Sequence, residues 1–133
     1  MVDSFFVDSN VILYLLDQDI VKSKKAATLI SKRGYINSQV IAEVLNVTRR
    51  VYKYSKDDLL IFWKYLIEDI EVVPVSIEAK KNAIELIKIY DFQIFDAIII
   101  ASALETGCEI LYSEDLQHGF VVNNKLTIIN PFL

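Results

Sequence analysis

The chain has 133 residues, of which 53% are hydrophobic and 24% charged, with only 3 Gly and 2 Pro. That excludes disorder, collagen-like repeats and low-complexity linkers, and it suits one domain, residues 1–133, built on one sizeable core. A net charge of −4, from 14 Lys plus Arg against 18 Asp plus Glu, argues against holding nucleic acid by a bulk positive field. It leaves room for an enzyme that meets phosphates through bound metal ions.

Ser4 to Val7 is short, apolar and β-prone, and reads as a buried strand. Asp8-Ser9-Asn10 then favour a cap or turn, and a helix is predicted over Val11 to Leu16. A second helix is predicted over Ser23 to Lys32, broken by Gly34. Tyr35 to Asn37 reads as a strand, and Ser38 as the cap of a helix running to about Tyr52. Asp57-Asp58 open another helix, carrying Leu59, Leu60, Phe62, Trp63, Leu66 and Ile67. Val72 to Val75 is a strand whose Pro74 suggests a sheet edge or strand end. Ser76 caps a helix reaching Ile89. Phe95 or Asp96 begins an almost wholly apolar helix that closes at Gly107. Glu109 to Tyr112 and Leu126 to Ile129 are the last strands. The alternation predicts an α/β fold with a mostly parallel sheet of about four to five strands, flanked by helices on both faces.

The one cysteine, Cys108, cannot close an internal disulfide, which suits a reducing compartment. Asp3 and Asp8 stand where a secretory leader would be basic and then apolar. The longest apolar stretch, Ala97 to Leu104, is far below the roughly 20 residues of a membrane span. A cytoplasmic protein with no membrane partner is expected.

In parallel sheets, ligands gather outside the carboxyl ends of the strands. Four acids fall at that edge. Asp8 follows the first strand, and Asp115 follows the strand ending at Tyr112 by the turn Ser113-Glu114. Glu43 lies in the second turn of the helix after Tyr35–Asn37. Asp96 starts a helix that must run antiparallel to the sheet. Glu43 is three residues after Val40 and four before Val47, so it is expected on a buried stripe, where a carboxylate is costly. Taken singly, Asp8 and Asp96 fit helix N-caps and Asp115 fits a turn. Taken together, two carboxylates about 4 Å apart repel by roughly 4 kcal/mol at an effective dielectric of 20. A hard divalent cation with oxygen ligands, Mg²⁺ or Mn²⁺, relieves that repulsion. Such an ion orients phosphate, acidifies water and neutralises charge on a leaving oxygen.

Phe6-Val7-Asp8-Ser9-Asn10-Val11-Ile12-Leu13-Tyr14 resembles the opening motif of the PIN-domain ribonucleases, and Ser38-Gln39-Val40-Ile41-Ala42-Glu43 resembles their second-acid segment. Phe95-Asp96-Ala97-Ile98-Ile99-Ile100-Ala101-Ser102-Ala103 is similar to the third-acid motif, and Ser113-Glu114-Asp115-Leu116 to the last. The match follows the family's order over nearly the whole chain, its first and third motifs being the more specific. The resemblance, most closely to the VapC-type toxins of toxin–antitoxin pairs, implies a metal-dependent endoribonuclease. Asp8, Glu43, Asp96 and Asp115 would hold one or two Mg²⁺ or Mn²⁺ ions, Asp8 and Asp96 most directly, with Asn10 and Ser113 as accessory groups. An RNA substrate cut to 5′-phosphate and 3′-hydroxyl ends, and a cognate antitoxin, are implied as well. Glu114 departs from the pattern, because it could take the place of Asp115.

Other residues read more plainly. His118 suits a solvated loop, Cys108 a small core site, and Trp63 packing with Phe62 and Leu66. Lys22, Lys24, Lys25, Lys32 and Arg33, and separately Arg49, Arg50 and Lys53, are candidate guides for an RNA backbone. The apolar surplus of Val11–Leu16 and Leu59–Ile67 predicts a homodimer, an antitoxin groove, or both. Rival readings are a catalytically silent PIN-like module that binds RNA or protein, and an RNA-processing PIN nuclease without an antitoxin. A haloacid-type phosphatase wants a second Asp where Asn10 stands. A receiver domain wants an acceptor Asp and a late Lys, for which Asn37 and Lys125 are poor candidates.

Overall fold

Three consecutive buried residues, Phe5, Phe6 and Val7, form strand β1 (Phe5–Val7), which lies inside a six-stranded sheet. The computed structural model describes residues 4–133, so Asp3 lies outside the described residues. The other strands are β2 (Tyr35–Asn37), β3 (Glu71–Val73), β4 (Ile110–Tyr112), β5 (Val121–Val122) and β6 (Leu126–Ile129). Their order is β3-β2-β1-β4-β6-β5, and every pairing is parallel except β5 with β6. Two helices span each of the first three crossovers: α1 (Ser9–Leu13) and α2 (Ile20–Ser31), α3 (Ser38–Arg50) and α4 (Lys56–Asp69), α5 (Ile77–Tyr90) and α6 (Ile94–Glu105). The chain steps from β1 outward to β3, then returns to lay β4 on the other side of β1. The carboxyl edge between β1 and β4 is therefore the topological switch point, where open α/β sheets bind ligands.

Helices cover both faces. On one, Asn37 Nδ2 donates to Ser102 Oγ of α6 at 3.0 Å, with both residues buried. On the other, Leu29 of α2 lies beside Tyr112. Asn37, rather than Ser38, is the cap of α3, its Oδ1 accepting from the Val40 N–H at 2.8 Å. Ser38 Oγ instead accepts from the Val75 N–H. The α2 helix starts earlier than its apolar pattern suggested because Asp19 caps it, accepting from the Val21 and Lys22 N–H groups. The α6 helix starts at Ile94 with no side-chain cap, which puts Asp96 inside its first turn. Pro74 directly follows β3, which is an edge strand.

The sixth strand, β5, is too short to show in an apolar pattern. It exists because Asn123 and Asn124 adopt left-handed φ values of 52° and 56°, and the Lys125 N–H donates to the Val122 carbonyl at 3.0 Å. That is the primed turn that matches a hairpin's twist. Trp63 is a second correction: Phe62 and Leu66 are buried, whereas Trp63 stands on the outer side of α4 with Ile61 and Ile67. Among the described residues, no helix is long and apolar enough to cross a membrane.

Gly34 does not end α2 by its own flexibility, since Arg33 is the left-handed residue there, at φ 57°. Gly34 is needed for closeness: a Cβ on it would lie 2.2 Å from the Phe5 ring. Gly34→Ala is expected to destabilise the fold by about 1–3 kcal/mol, the usual cost of overpacking a core. Urea unfolding should show a lower midpoint at an unchanged slope.

Candidate active site

Asp8 is the first residue past β1, and its N–H still reaches the Tyr112 carbonyl at 2.9 Å, so the β1–β4 ladder itself holds it. Its side chain is buried. Oδ1 accepts from the Ser9 N–H at 2.7 Å and from Ser9 Oγ at 3.4 Å, while Oδ2 accepts from Ser113 Oγ at 2.9 Å and Asn10 Nδ2 at 3.3 Å. Asp8 is thus the N-cap of the short α1 and also the centre of a longer-range network. Even so, burial pushes its carboxyl up to about 6, against the lowering by Ser113 and Ser9, with Asp96 and Glu43 adding like charge. The two accessory candidates both touch it. Ser113 is fully buried, and Asn10 bridges Asp8 to the loop after β4 by accepting from the Glu114 N–H at 3.2 Å.

Asp8, Glu43, Asp96 and Asp115 line a single cleft of about 630 Å³, together with Asn10, Gln39, Asn46, Gln93 and Phe95. Asp96 is half-buried, and its carboxyl is raised first by burial and then by the charge of Asp115. Glu43 corrects the expectation of a buried stripe: it is exposed on the cleft wall. Three residues turn a helix through about 300°, leaving Glu43 roughly 60° from Val40. It joins the stripe Gln39, Ala42, Glu43 and Asn46 facing the cleft, while Val40, Val44 and Thr48 face the core.

Glu114 and Asp115 go opposite ways. The Glu114 carboxylate accepts from Tyr14 Oη at 2.5 Å and lies 3.0 Å from Lys22 Nζ. The Tyr14 hydrogen bond is the main cause holding it below the usual carboxylate range. Asp115 is the one that lines the cleft, as the position of Ser113 suggested.

The donor set is all oxygen and carries up to four negative charges, which fits a hard divalent cation. The carboxylates line walls rather than close a cage: among the described residues, no three His, Cys, Asp or Glu side chains are gathered tightly enough to hold an ion. Mg²⁺ needs no such cage, since it keeps several waters and takes one or two carboxylates. Gln39 Nε2 is buried without a hydrogen-bond partner, leaving a donor free in the same wall.

Several sequence candidates lie elsewhere. His118 is exposed, with Nδ1 accepting from the Asn130 N–H. Cys108 is buried at the opposite end of β4. Lys24 and Lys25 line a separate groove with Tyr112 and Pro131, and the Arg49 guanidinium is engaged with the Tyr54 carbonyl. The sequence reading missed the amides Gln39, Asn46 and Gln93. The first two were detectable, since they share a helical face with Glu43 at spacings of three and four residues.

The mostly parallel α/β sheet and the four acids that line the cleft at its switch point define the fold and the candidate site. The chain belongs to the PIN domain family, whose sequence profile matches residues 5–120. Among solved structures it resembles a toxin–antitoxin complex from Klebsiella pneumoniae, at 16% identity and TM-score 0.74, covering 96% of this chain and 98% of that one. It also resembles VapC20 of Mycobacterium tuberculosis, a sarcin–ricin loop cleaving toxin, at 18% identity and TM-score 0.67, covering 84% and 90%. DNA-bound VapBC from Salmonella typhimurium matches at 16% identity and TM-score 0.69, covering 96% and 97%. No curated protein matches the chain.

The raised carboxyl of Asp8 makes stability pH-dependent. A folded-state value above the ordinary 3.8 means that the fold favours the protonated acid. That contribution is complete below about pH 4 and is lost as pH rises through about 6, about 3 kcal/mol in all. The melting temperature of metal-free protein should therefore fall across this window. Asp8→Asn should flatten the slope and melt above wild type near pH 8; parallel curves would refute the assignment.

Proposed function

We propose that this protein is a divalent-metal-dependent endoribonuclease and the toxin of a type II toxin–antitoxin pair, working in the cytoplasm. The observation that carries the reading is the single cleft at the β1–β4 switch point, into which β1, α3, α6 and the loop after β4 each bring one acid. Asp8 and Asp96 would be the most direct ligands of one or two Mg²⁺ or Mn²⁺ ions, with Glu43 and Asp115 completing the ring. Bound there, the metal would supply an acidified water and neutralise charge on the leaving oxygen.

The residues of the chain set the conditions for that chemistry. Ser113 and Asn10 lock the Asp8 carboxylate in one orientation. Asp8 must lose its proton to act as a ligand, so metal affinity should rise as pH passes about 6. Asn46 and Gln93, exposed on the cleft wall, offer neutral amide donors to an RNA strand.

An RNA substrate is supported by the resemblance to VapC20, and a cognate antitoxin by the toxin–antitoxin complexes of the same fold. The outer side of α4, with Leu60, Ile61, Trp63 and Ile67 exposed, supports a protein partner, either an antitoxin or a second copy in a homodimer. The test is cleavage of a panel of structured RNAs with Mg²⁺ or Mn²⁺ and with EDTA. Cutting should need the metal and fall roughly 10³-fold in Asp8→Ala and Asp96→Asn, several kcal/mol of transition-state stabilisation. Equal cutting by wild type and variants would mark a contaminant. Metal binding with no cutting would make the protein a binding module.

A further inference from the structure

Glu114 lies between two residues of the site, Ser113 and Asp115, yet its carboxylate leaves the cleft. Tyr14 Oη donates to Oε1 at 2.5 Å, and Lys22 Nζ lies 3.0 Å from Oε2 and 3.3 Å from Tyr14 Oη. The Lys22 ammonium also sits 4.7 Å from the centre of the Tyr14 ring and 5.5 Å from that of Phe132. Those two rings meet edge to face at 4.7 Å. Tyr14 opens the 3₁₀ turn that follows α1, and Lys22 is in the first turn of α2. Both belong to the crossover that begins at Asp8.

The main chain of Glu114 is held from the other side. Its N–H donates to Asn10 Oδ1 at 3.2 Å, and Asn10 Nδ2 donates in turn to Asp8 Oδ2 at 3.3 Å. One residue over, Ser113 Oγ donates to the same Asp8 oxygen at 2.9 Å and accepts from the Leu116 N–H at 3.4 Å. The loop from Ser113 to Leu116 is thus gripped by the Ser113 side chain at Asp8, by the Glu114 backbone at Asn10, and by the Glu114 side chain at Tyr14 and Lys22. A half-exposed ion pair contributes little to global stability. Its ring packing and triple contact give it directional precision instead.

We infer that Tyr14, Lys22 and Glu114 form a clamp of positioning residues that sets Ser113 against Asp8 and Asp115 in the cleft wall, without itself entering the cleft. The inference rests on the nuclease reading of that cleft. Residues that orient carboxylate ligands from behind typically alter metal affinity or activity by roughly 10–100-fold when changed.

The experiment uses the full chain and compares wild type with Tyr14→Phe, Lys22→Met, Lys22→Arg and Glu114→Gln. Calorimetric titration with Mn²⁺, RNA cleavage kinetics and amide hydrogen exchange are read in parallel. The clamp predicts Mn²⁺ affinity and kcat lowered about tenfold in Tyr14→Phe and Glu114→Gln, with KM for RNA unchanged and melting close to wild type. The double variant should be no worse than the worse single one, because the residues act as a unit. Lys22→Arg should recover more of both quantities than Lys22→Met. The Glu114 and Leu116 amides should exchange faster in Glu114→Gln.

Variants that match wild type in Mn²⁺ affinity, kcat and exchange overturn the clamp. A Lys22→Met effect confined to KM also overturns it, because Lys22 would then be contacting RNA. If wild-type protein binds no Mn²⁺ and cuts no RNA, the nuclease reading fails and exchange alone decides: faster exchange at Glu114 and Leu116 upholds the clamp on the loop, and unchanged exchange removes it.

Discussion

A carboxylate buried at the end of an interior strand is the constraint on which this site depends. Asp8 follows three buried residues, Phe5, Phe6 and Val7, and is itself almost sealed from solvent. Ionising it there is costly unless its lone pairs are met. Ser9, Asn10 and Ser113 meet them, yet the carboxyl still rests near 6. Much of the surrounding structure secures those donors. The β1–β4 pairing brings Ser113 to Asp8 across more than a hundred residues of sequence, and Asn10 ties the next loop residue to the same oxygen.

The other acids are less deeply buried, and each is supported differently. Asp96 rides in the first turn of α6, whose Ala97, Ala101 and Ala103 let it pack closely along α5 and against β2 and β4. The buried Asn37–Ser102 pair links the end of β2, which leads into the helix carrying Glu43, to the helix carrying Asp96. Asp115 sits on a loop, the least constrained kind of support, and that is where a brace from outside the cleft has most to do. Burial falls from Asp8 through the half-buried Asp96 to the exposed Glu43 and Asp115.

How legible this was from sequence varied with the kind of signal. Asp8 and Asp115 were readable because position after a strand determines which edge of a parallel sheet a residue reaches. Asp96 was readable because a helix returning to a parallel strand must start at that same edge. Glu43 was placed at the right edge by its position in the second turn of α3, but the burial expected from its spacing to Val40 was wrong, because a roughly 60° offset is enough to move a side chain from core to cleft. Ser38 and Asn37 were adjacent capping residues, and only the contact with Ser102 on a distant helix selected Asn37. Trp63 sits between Phe62 and Leu66 in sequence, but α4 buries a narrow stripe and Trp63 falls outside it.

The sequence by itself determined the alternation of strands and helices, the mostly parallel sheet, the caps at Asp8 and Ser76, and the edge to which the acids belong. Those features follow from local chemistry and chain direction, which depend on neighbours a few residues away. Tertiary structure alone supplied what draws Glu114 away and leaves Asp115, the residue the sequence favoured, facing the cleft: Tyr14 and Lys22, roughly a hundred residues earlier. It also decided that Gly34 must lack a side chain because the Phe5 ring occupies that space, and that Gln93 shares a wall with the acids. These outcomes depend on contacts between residues far apart in the chain, and no local pattern encodes which distant side chain will arrive.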